Sequence, residues 1–258
     1  MKHATCFREF RLALLLAPCM VLALILAAAV SPTQAAVPAG PPTFSNPLDI
    51  TNLYFPFQPG GLKVYNGLSD AVKNVVVDKY LTETRTFNWN GGDVECRVLE
   101  EVDFEGGELV EISKNFFAQA DDGTVYYFGE VVVIYEDGVI VDHEGSWLVV
   151  GPTLPSDPPE TAAASDPAVF MPADPEVGDV FKPEDLFPIV DETAEVIRVQ
   201  QKVIVPAGRF GDAIKVKETS LLSPDVEVKW YAPGVGVVKT RARGEILLLI
   251  ASTLVSSE

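Results

Sequence analysis

From residue 75 onward, apolar and β-branched residues alternate with polar ones over short runs, and Gly with Asn or Asp punctuates the runs. Alternation with a period of two is the pattern of a strand that buries one face. Asn90-Gly91-Gly92-Asp93 separates a strand near 75–87 from one near 94–104, and Gly106-Gly107 separates that from 108–119. Asp121-Asp122-Gly123 leads to 124–135, and Glu136-Asp137-Gly138 leads to 139–150. These residue pairs supply the positive φ that tight hairpins need, so five successive hairpin-connected strands are predicted. The second half repeats the style, with strands at 190–205, 210–222, 226–231, 235–241 and 245–255. The last of these, EILLLIASTLV, is apolar on both faces, as in an interior strand or one that faces both a core and a partner. Helix is expected for no more than a turn or two, with 68–74 and 183–187 as the candidates.

The pattern predicts an all-β fold: one large curved antiparallel sheet of ten or eleven strands, closed as a barrel, half-closed, or folded into a sandwich. Such a sheet must cover its concave face with side chains, a loop, a helix or a ligand. Residues 48–258 are read as a single β domain. Residues 151–175 are too rich in proline for a central strand or a helix interior, and the part up to about residue 166 reads as a mobile surface loop.

The N-terminus departs from this pattern. Lys2, Arg8 and Arg11 precede an uncharged apolar run at 12–30, followed by Ser31-Pro32-Thr33-Gln34-Ala35-Ala36. This is the layout of a targeting segment, with cleavage after Ala35. The run is also long enough to span a bilayer, so an uncleaved signal anchor through 12–30 is the alternative, and either leads to export. The Leu16-Ala17-Pro18-Cys19 stretch has the wrong residue before the cysteine for a lipid-anchoring motif. A proline-rich linker at 36–47 joins this segment to the domain.

The chain has 19 basic and 37 acidic side chains, a net charge of −18. Loss of residues 1–35 would take three basic groups and one acidic group, leaving −20. That field repels phosphate backbones, which argues against nucleic acid as a partner and favours cationic partners or a merely solvated surface. After cleavage only Cys96 remains, so no internal disulfide forms and the fold must rest on its core.

Several stretches resemble a family of exported bacterial β proteins with no known activity. They are TNLYFPFQPGGLKVYNG (51–67), Cys96-Arg97-Val98, FFAQADDGTVYYFGE (116–130), EGSW (144–147) and MPADPEVGD (171–179). VIVPAGRFGDAIKVKE (203–218) followed by WYAPGVGVVK (230–239) is similar to a signature shared more widely among secreted β proteins. The resemblance covers about 51–244. It implies a curved antiparallel sheet of the lipocalin or lipoprotein-carrier kind and no reaction. This chain departs from the family in one place: Lys63 stands where the family's opening motif has a tryptophan. The turn chemistry of Pro206-Ala207-Gly208 and Ala232-Pro233-Gly234 accounts for those motifs without any site.

Chemistry is scarce. His143 is the only histidine outside the targeting segment, too few for zinc with Cys96 alone. No nucleotide, metalloprotease, serine-hydrolase or calcium-loop motif is present, so no cofactor and no metal is expected. Alternation sends Asp142, Glu144 and Ser146 to the face opposite His143, which argues against a triad. The candidates that remain are carboxylates and aromatics in the central hairpins. Glu130 lies in an otherwise apolar strand, where burial would raise its pKa, with Gly129 before it as a candidate bulge that redirects it outward. Glu144 and Trp147 on the next strand could share its region. Tyr126 and Phe128, with Tyr127, Phe116 and Phe117, are core or a cavity wall. Tyr126, Phe128, Glu130, Glu144 and Trp147 are therefore the candidate ligand-binding residues. The expected function is non-enzymatic binding of a lipid, another apolar or amphipathic small molecule, or a peptide. The alternatives are envelope assembly through a sheet edge that docks a protein partner, and carboxylate-based hydrolysis. Membrane contact is expected only through residues 12–30.

Overall fold

The computed structural model describes Val37 and residues 40–254. The expected targeting segment and cleavage after Ala35, and the Leu16–Cys19 stretch, lie outside the described residues. Fifteen strands follow in order: β1 (Leu62–Ser69), β2 (Val72–Trp89), β3 (Gly92–Glu105), β4 (Glu108–Gln119), β5 (Val125–Glu136), β6 (Val139–Asp142), β7 (Trp147–Val149) and β8 (Ala162–Ala164) come first. Then come β9 (Ala168–Met171), β10 (Val180–Leu186), β11 (Val190–Val205), β12 (Gly208–Thr219), β13 (Val226–Ala232), β14 (Gly236–Ala242) and β15 (Glu245–Ser252). No helix occurs among the described residues.

The strands form one sheet in the order β10-β11-β12-β13-β14-β15-β1-β2-β3-β4-β5-β7-β8, with β6 and β9 also paired to β5. The two ends of this ribbon curl together until β9, held on β5, runs beside β10. The result is a nearly closed barrel, which settles the choice left open by the sequence. All ladders are antiparallel except the short β7–β8 pair.

The predicted hairpins form where the turn residues placed them, with positive φ at Asn90, Gly91, Gly106, Gly107, Asp137 and Gly138. Both helix candidates are instead strand. Residues 68–74 are the β1–β2 hairpin, turned by Asp70 and Ala71 at φ 44° and 70°, and residues 183–187 lie mostly in β10. The expected strand at 139–150 is broken into β6 and β7 by the turn at residues 143–146.

The proline-rich stretch is anchored rather than mobile. It contributes β8 and β9, and Asp157 takes two hydrogen bonds of 2.8 Å from the Arg85 guanidinium. Both side chains of that pair are buried. The Arg85 guanidinium also lies 4.8 Å above the rings of Phe87 and Phe116. This loop thereby covers the outer face of the β2–β3 and β4–β5 hairpins, where Phe87, Cys96, Val98, Phe116 and Phe128 pack.

Lower on the same strands apolar residues continue to face outward. Glu101 and Asp103 of β3 and Val76 and Asp78 of β2 line the interior, so Val102, Phe104, Val75 and Val77 face out. A second apolar cluster lies where the β11–β12 hairpin bends over β14, β15 and β1, joining Val203 and Val205 to Tyr65, Val238 and Leu249. The Ala207 N–H fixes this bend by bonding the Leu249 carbonyl at 3.0 Å. β15 sits between β14 and β1, inside the sheet as its apolar sequence suggested.

Candidate functional site

The barrel encloses a lumen of about 430 Å³. One end is walled by aromatic rings: Phe55, Phe117, Tyr127 and Phe170 pack with centroids 4.7–5.7 Å apart. Phe55 comes from the segment before β1. Asn52 holds that segment in place, donating to the carbonyls of Gly123 and Pro172 at 3.1 and 2.9 Å while its Oδ1 accepts the N–H groups of Tyr54 and Phe55.

The rest of the lumen carries carboxylates among apolar and tyrosine side chains such as Val76, Leu99, Leu247 and Tyr231. Asp78, Glu101, Asp103, Glu111, Glu130, Glu184, Glu192, Glu227 and Glu245 all face it, against only two ammonium groups, Lys63 and Lys229. They come from strands all round the wall, so the acids form a belt rather than a patch. Cross-strand register builds this belt: Asp78 sits opposite Glu101, Asp103 opposite Glu111, and Glu184 opposite Glu192.

Each lysine has its own carboxylates. Lys229 Nζ lies 2.6 Å from Glu218 and 3.4 Å from Glu227, with Glu192 beside them. Burial works against the Lys229 charge, but Glu218, Glu227 and Glu192 more than offset it and hold its pKa well above the usual lysine range. Oxygens of Glu192, Glu218 and Glu227 lie within 4.8 Å of one another, a spacing that would suit a metal ion, but the Lys229 ammonium reaches the same group of oxygens. Lys63, at 3% exposure, lies 3.5 Å from Asp78 Oδ2 and within 5.6 Å of the ring centroids of Tyr65 and Tyr80. Lys63 thus places a charge inside the barrel.

The remaining acids repel one another. Burial first, and then Asp78 and Glu111, push Glu101 up to about 8. Burial first, then Glu184 and Glu111, push Glu130 well above the usual carboxyl range. Burial raises Glu184 as well, although its side-chain interaction with Glu130 works in the opposite direction there while adding to the rise at Glu130. The Tyr127 hydroxyl donates to Asn115 Oδ1 next to them.

A bulge aims Glu130. Asn115 pairs with Glu130 but Phe117 pairs with Tyr127, so Phe128 and Gly129 together face the single residue Phe116. The extra residue turns Glu130 to the same side as Tyr127, into the lumen and not outward as anticipated. Gly129 has φ +114°, and a Cβ there would lie 2.1 Å from the Trp147 carbonyl oxygen, so only glycine fits.

The other sequence candidates separate around this bulge. Tyr126 and Phe128 lie on the outer face of the sheet, packed on Phe44 and, for Phe128, on Phe87, and they do not line the lumen. Trp147 is paired with Glu130 across β5–β7 and sits edge-on to Tyr127 at 5.2 Å, behind the wall. Glu144 is exposed in the turn after β6, away from Glu130. His143 Nδ1 and Ser146 Oγ both engage the backbone of Val132, at 2.6 Å to its carbonyl and 2.9 Å from its N–H, so neither contributes to a triad.

The residues that sequence reasoning passed over are Asp78, Glu101, Asp103, Glu111, Glu184, Glu192, Glu227, Glu245, Lys63 and Lys229. Only Lys63 stands out in the sequence, and nothing there places it in a lumen. No protein-family model, curated protein or solved structure matches this chain.

Proposed function

We propose that the protein is an exported, non-enzymatic binding module that takes a cationic amphipathic small molecule into its barrel. The observation that carries this reading is the lumen itself, with nine carboxylates against two ammonium groups around about 430 Å³. The volume falls within the range of about 300–1,000 Å³ common for small-molecule sites. A purely apolar ligand would leave the carboxylates unpaired, which is costly in a confined space. A cation neutralises them, and the ring cluster of Phe55, Phe117, Tyr127 and Phe170 receives an apolar body.

Equilibrium titration of the purified chain with an alkylammonium, an alkyl sulfate and an alcohol of equal chain length tests the reading. The ammonium compound should bind tighter than either by about a hundredfold, the worth of one or two paired charges. Equal or better binding of the sulfate or the alcohol would overturn it.

The Glu130–Glu184 pair favours a second reading, carboxylate-based hydrolysis, because two neighbouring carboxyls, of which Glu130 is raised the more strongly, can divide the roles of general acid and base. That reading requires turnover of an ester or glycoside that disappears in Glu130→Gln. Turnover unchanged by that substitution would eliminate it.

A further inference from the structure

We infer that Asp78 and Glu101 form the seat for a primary ammonium group of the ligand, on the lumen wall between β1 and β4. This inference rests on the reading of the lumen as a cation site and names the chemistry and the residues of that site.

Asp78 and Glu101 are direct cross-strand partners on β2 and β3. Residues so placed have Cβ atoms about 4.5–5.5 Å apart, where two like charges repel. Lys63 and Ser113 extend the row on either side, opposite Asp78 and Glu101 respectively. Lys63 and the Tyr65 hydroxyl both engage Oδ2 of Asp78, at 3.5 and 3.3 Å. The second oxygen, Oδ1, has no hydrogen-bond partner, although Asp78 is 5% exposed and lines the lumen. No hydrogen bond or salt bridge among the described residues reaches the Glu101 carboxyl. A buried oxygen of this kind is normally paired, so Asp78 Oδ1, facing the same space as the unbonded Glu101 carboxyl, points to a donor that the chain itself does not provide.

The same lumen shows which donor it accepts. Its other acidic cluster holds a primary ammonium, that of Lys229, among Glu192, Glu218 and Glu227. Lys63 supplies a second ammonium to one edge of Asp78. Among the described residues no further lysine bonds Asp78 Oδ1 or Glu101. A calcium ion is a poorer match, since it takes about 6–8 oxygens and, among the described residues, oxygens of three acidic side chains come within 4.8 Å only around Lys229. An ammonium needs three acceptors, and Asp78, Glu101 and the Ser113 hydroxyl or lumen water meet that number. The aromatic end lies further along the same strands. From Ser113 to Phe117 is four residues of β4, about 13 Å at the rise of a strand. The ligand is therefore an amine whose apolar body extends about that far from its nitrogen.

The test uses calorimetric titration of the purified chain with n-octylamine, octyltrimethylammonium and calcium chloride, at about pH 8.5 so that the raised carboxyl is ionised. Octylamine should bind, and octyltrimethylammonium, which has no N–H to donate, should bind about tenfold or more weakly. Glu101→Gln should lower octylamine affinity about thirtyfold or more, and Asp78→Asn should act in the same direction. Glu100→Gln is the control. It lies on the same hairpin but faces outward, paired with Lys79 at 2.8 Å, and should leave affinity unchanged. Glu101→Gln removes an unpaired charge while keeping the side-chain shape, so lost binding in a variant with undiminished thermal stability is not misfolding. Octylamine binding that survives in Glu101→Gln would overturn this seat while leaving the cationic lumen intact. Binding of calcium in place of the amine would also overturn it. Absence of any amine binding to the wild-type chain would remove the lumen reading as well.

Discussion

Glu101 provides the sharpest test of how the lumen is built. Its carboxyl is pushed from an ordinary 4.5 up to about 8, chiefly by burial and then by the charges of Asp78 and Glu111. A carboxyl whose folded pKa is raised binds its proton more tightly in the folded state. The unfolded chain releases that proton from about 4.5 upward, so stability falls as pH rises through 4.5 to about 8 and stays low above it. Raising a pKa by one is equivalent to about 1.4 kcal/mol, so the rise from 4.5 to about 8 amounts to about 5 kcal/mol. Water that enters the lumen screens part of this, which leaves about 2–5 kcal/mol. Glu101→Gln removes the titration and keeps the shape. The variant should equal the wild type at about pH 4, where both side chains are neutral, and exceed it at about pH 9 by that amount. For a chain of this size the gain corresponds to a rise in Tm of about 5–15 °C. Thermal unfolding followed by tryptophan fluorescence at both pH values measures it. An equal gain at both pH values, or a less stable variant at high pH, would refute the account of Glu101 as a buried, unpaired carboxyl.

Four further outcomes follow from other parts of the structure. Lys229→Met leaves Glu192, Glu218 and Glu227 without their ammonium, so urea unfolding should show a loss of about 3–5 kcal/mol at pH 8 that shrinks on acidification as the acids take up protons. Asp157→Asn should cost about 2–4 kcal/mol and open the 151–164 segment to limited proteolysis, because Arg85 would stay buried without its counter-charge. Burial raises the Asp157 pKa, but bonds from Arg85 and the N–H groups of Leu154 and Thr153 lower it further, so this contribution is present above about pH 4 and is lost as pH falls from there through the depressed pKa. Gly129→Ala should cost about 3 kcal/mol or more, since its Cβ collides with the Trp147 carbonyl, and a variant as stable as wild type in urea would refute the bulge. Burial raises the Cys96 pKa well above normal despite the opposing effect of Arg85, so the thiol should resist a disulfide reagent in the native protein and react at once in denaturant.

The hairpins were legible because Asn90-Gly91, Gly106-Gly107 and Asp137-Gly138 state their turn chemistry in the sequence. The β1–β2 hairpin was not, because Ala71 takes a positive φ with no glycine to announce it. Proline misled at 151–175, since nothing local in the sequence reveals that Asp157 meets Arg85 from a strand far earlier in the chain. The site was hidden for a different reason. Alternation shows that a strand has two unlike faces but not which of them is inside. In Leu99-Glu100-Glu101-Val102-Asp103-Phe104 the ordinary assumption turns Val102 and Phe104 inward, whereas the barrel turns Glu101 and Asp103 inward. Glu130 stood out only because it interrupted an apolar run, and even there the direction of the Gly129 bulge had to be observed.

The pairing of β1 with β15 has a consequence for the order of assembly. Ser69 meets Glu245 and Lys63 meets Ser252, so the first strand of the barrel is joined to the last. Every other long ladder links neighbours in sequence, and those hairpins can form locally and early. The joint between the chain's two ends must await the final strand, and contacts between residues so far apart slow folding. Until it closes, Asp78, Glu101 and Glu245 lie on an open ribbon where water solvates them. The repulsion stored in the lumen is therefore imposed at the last step. It should slow closure and hasten reopening as pH rises.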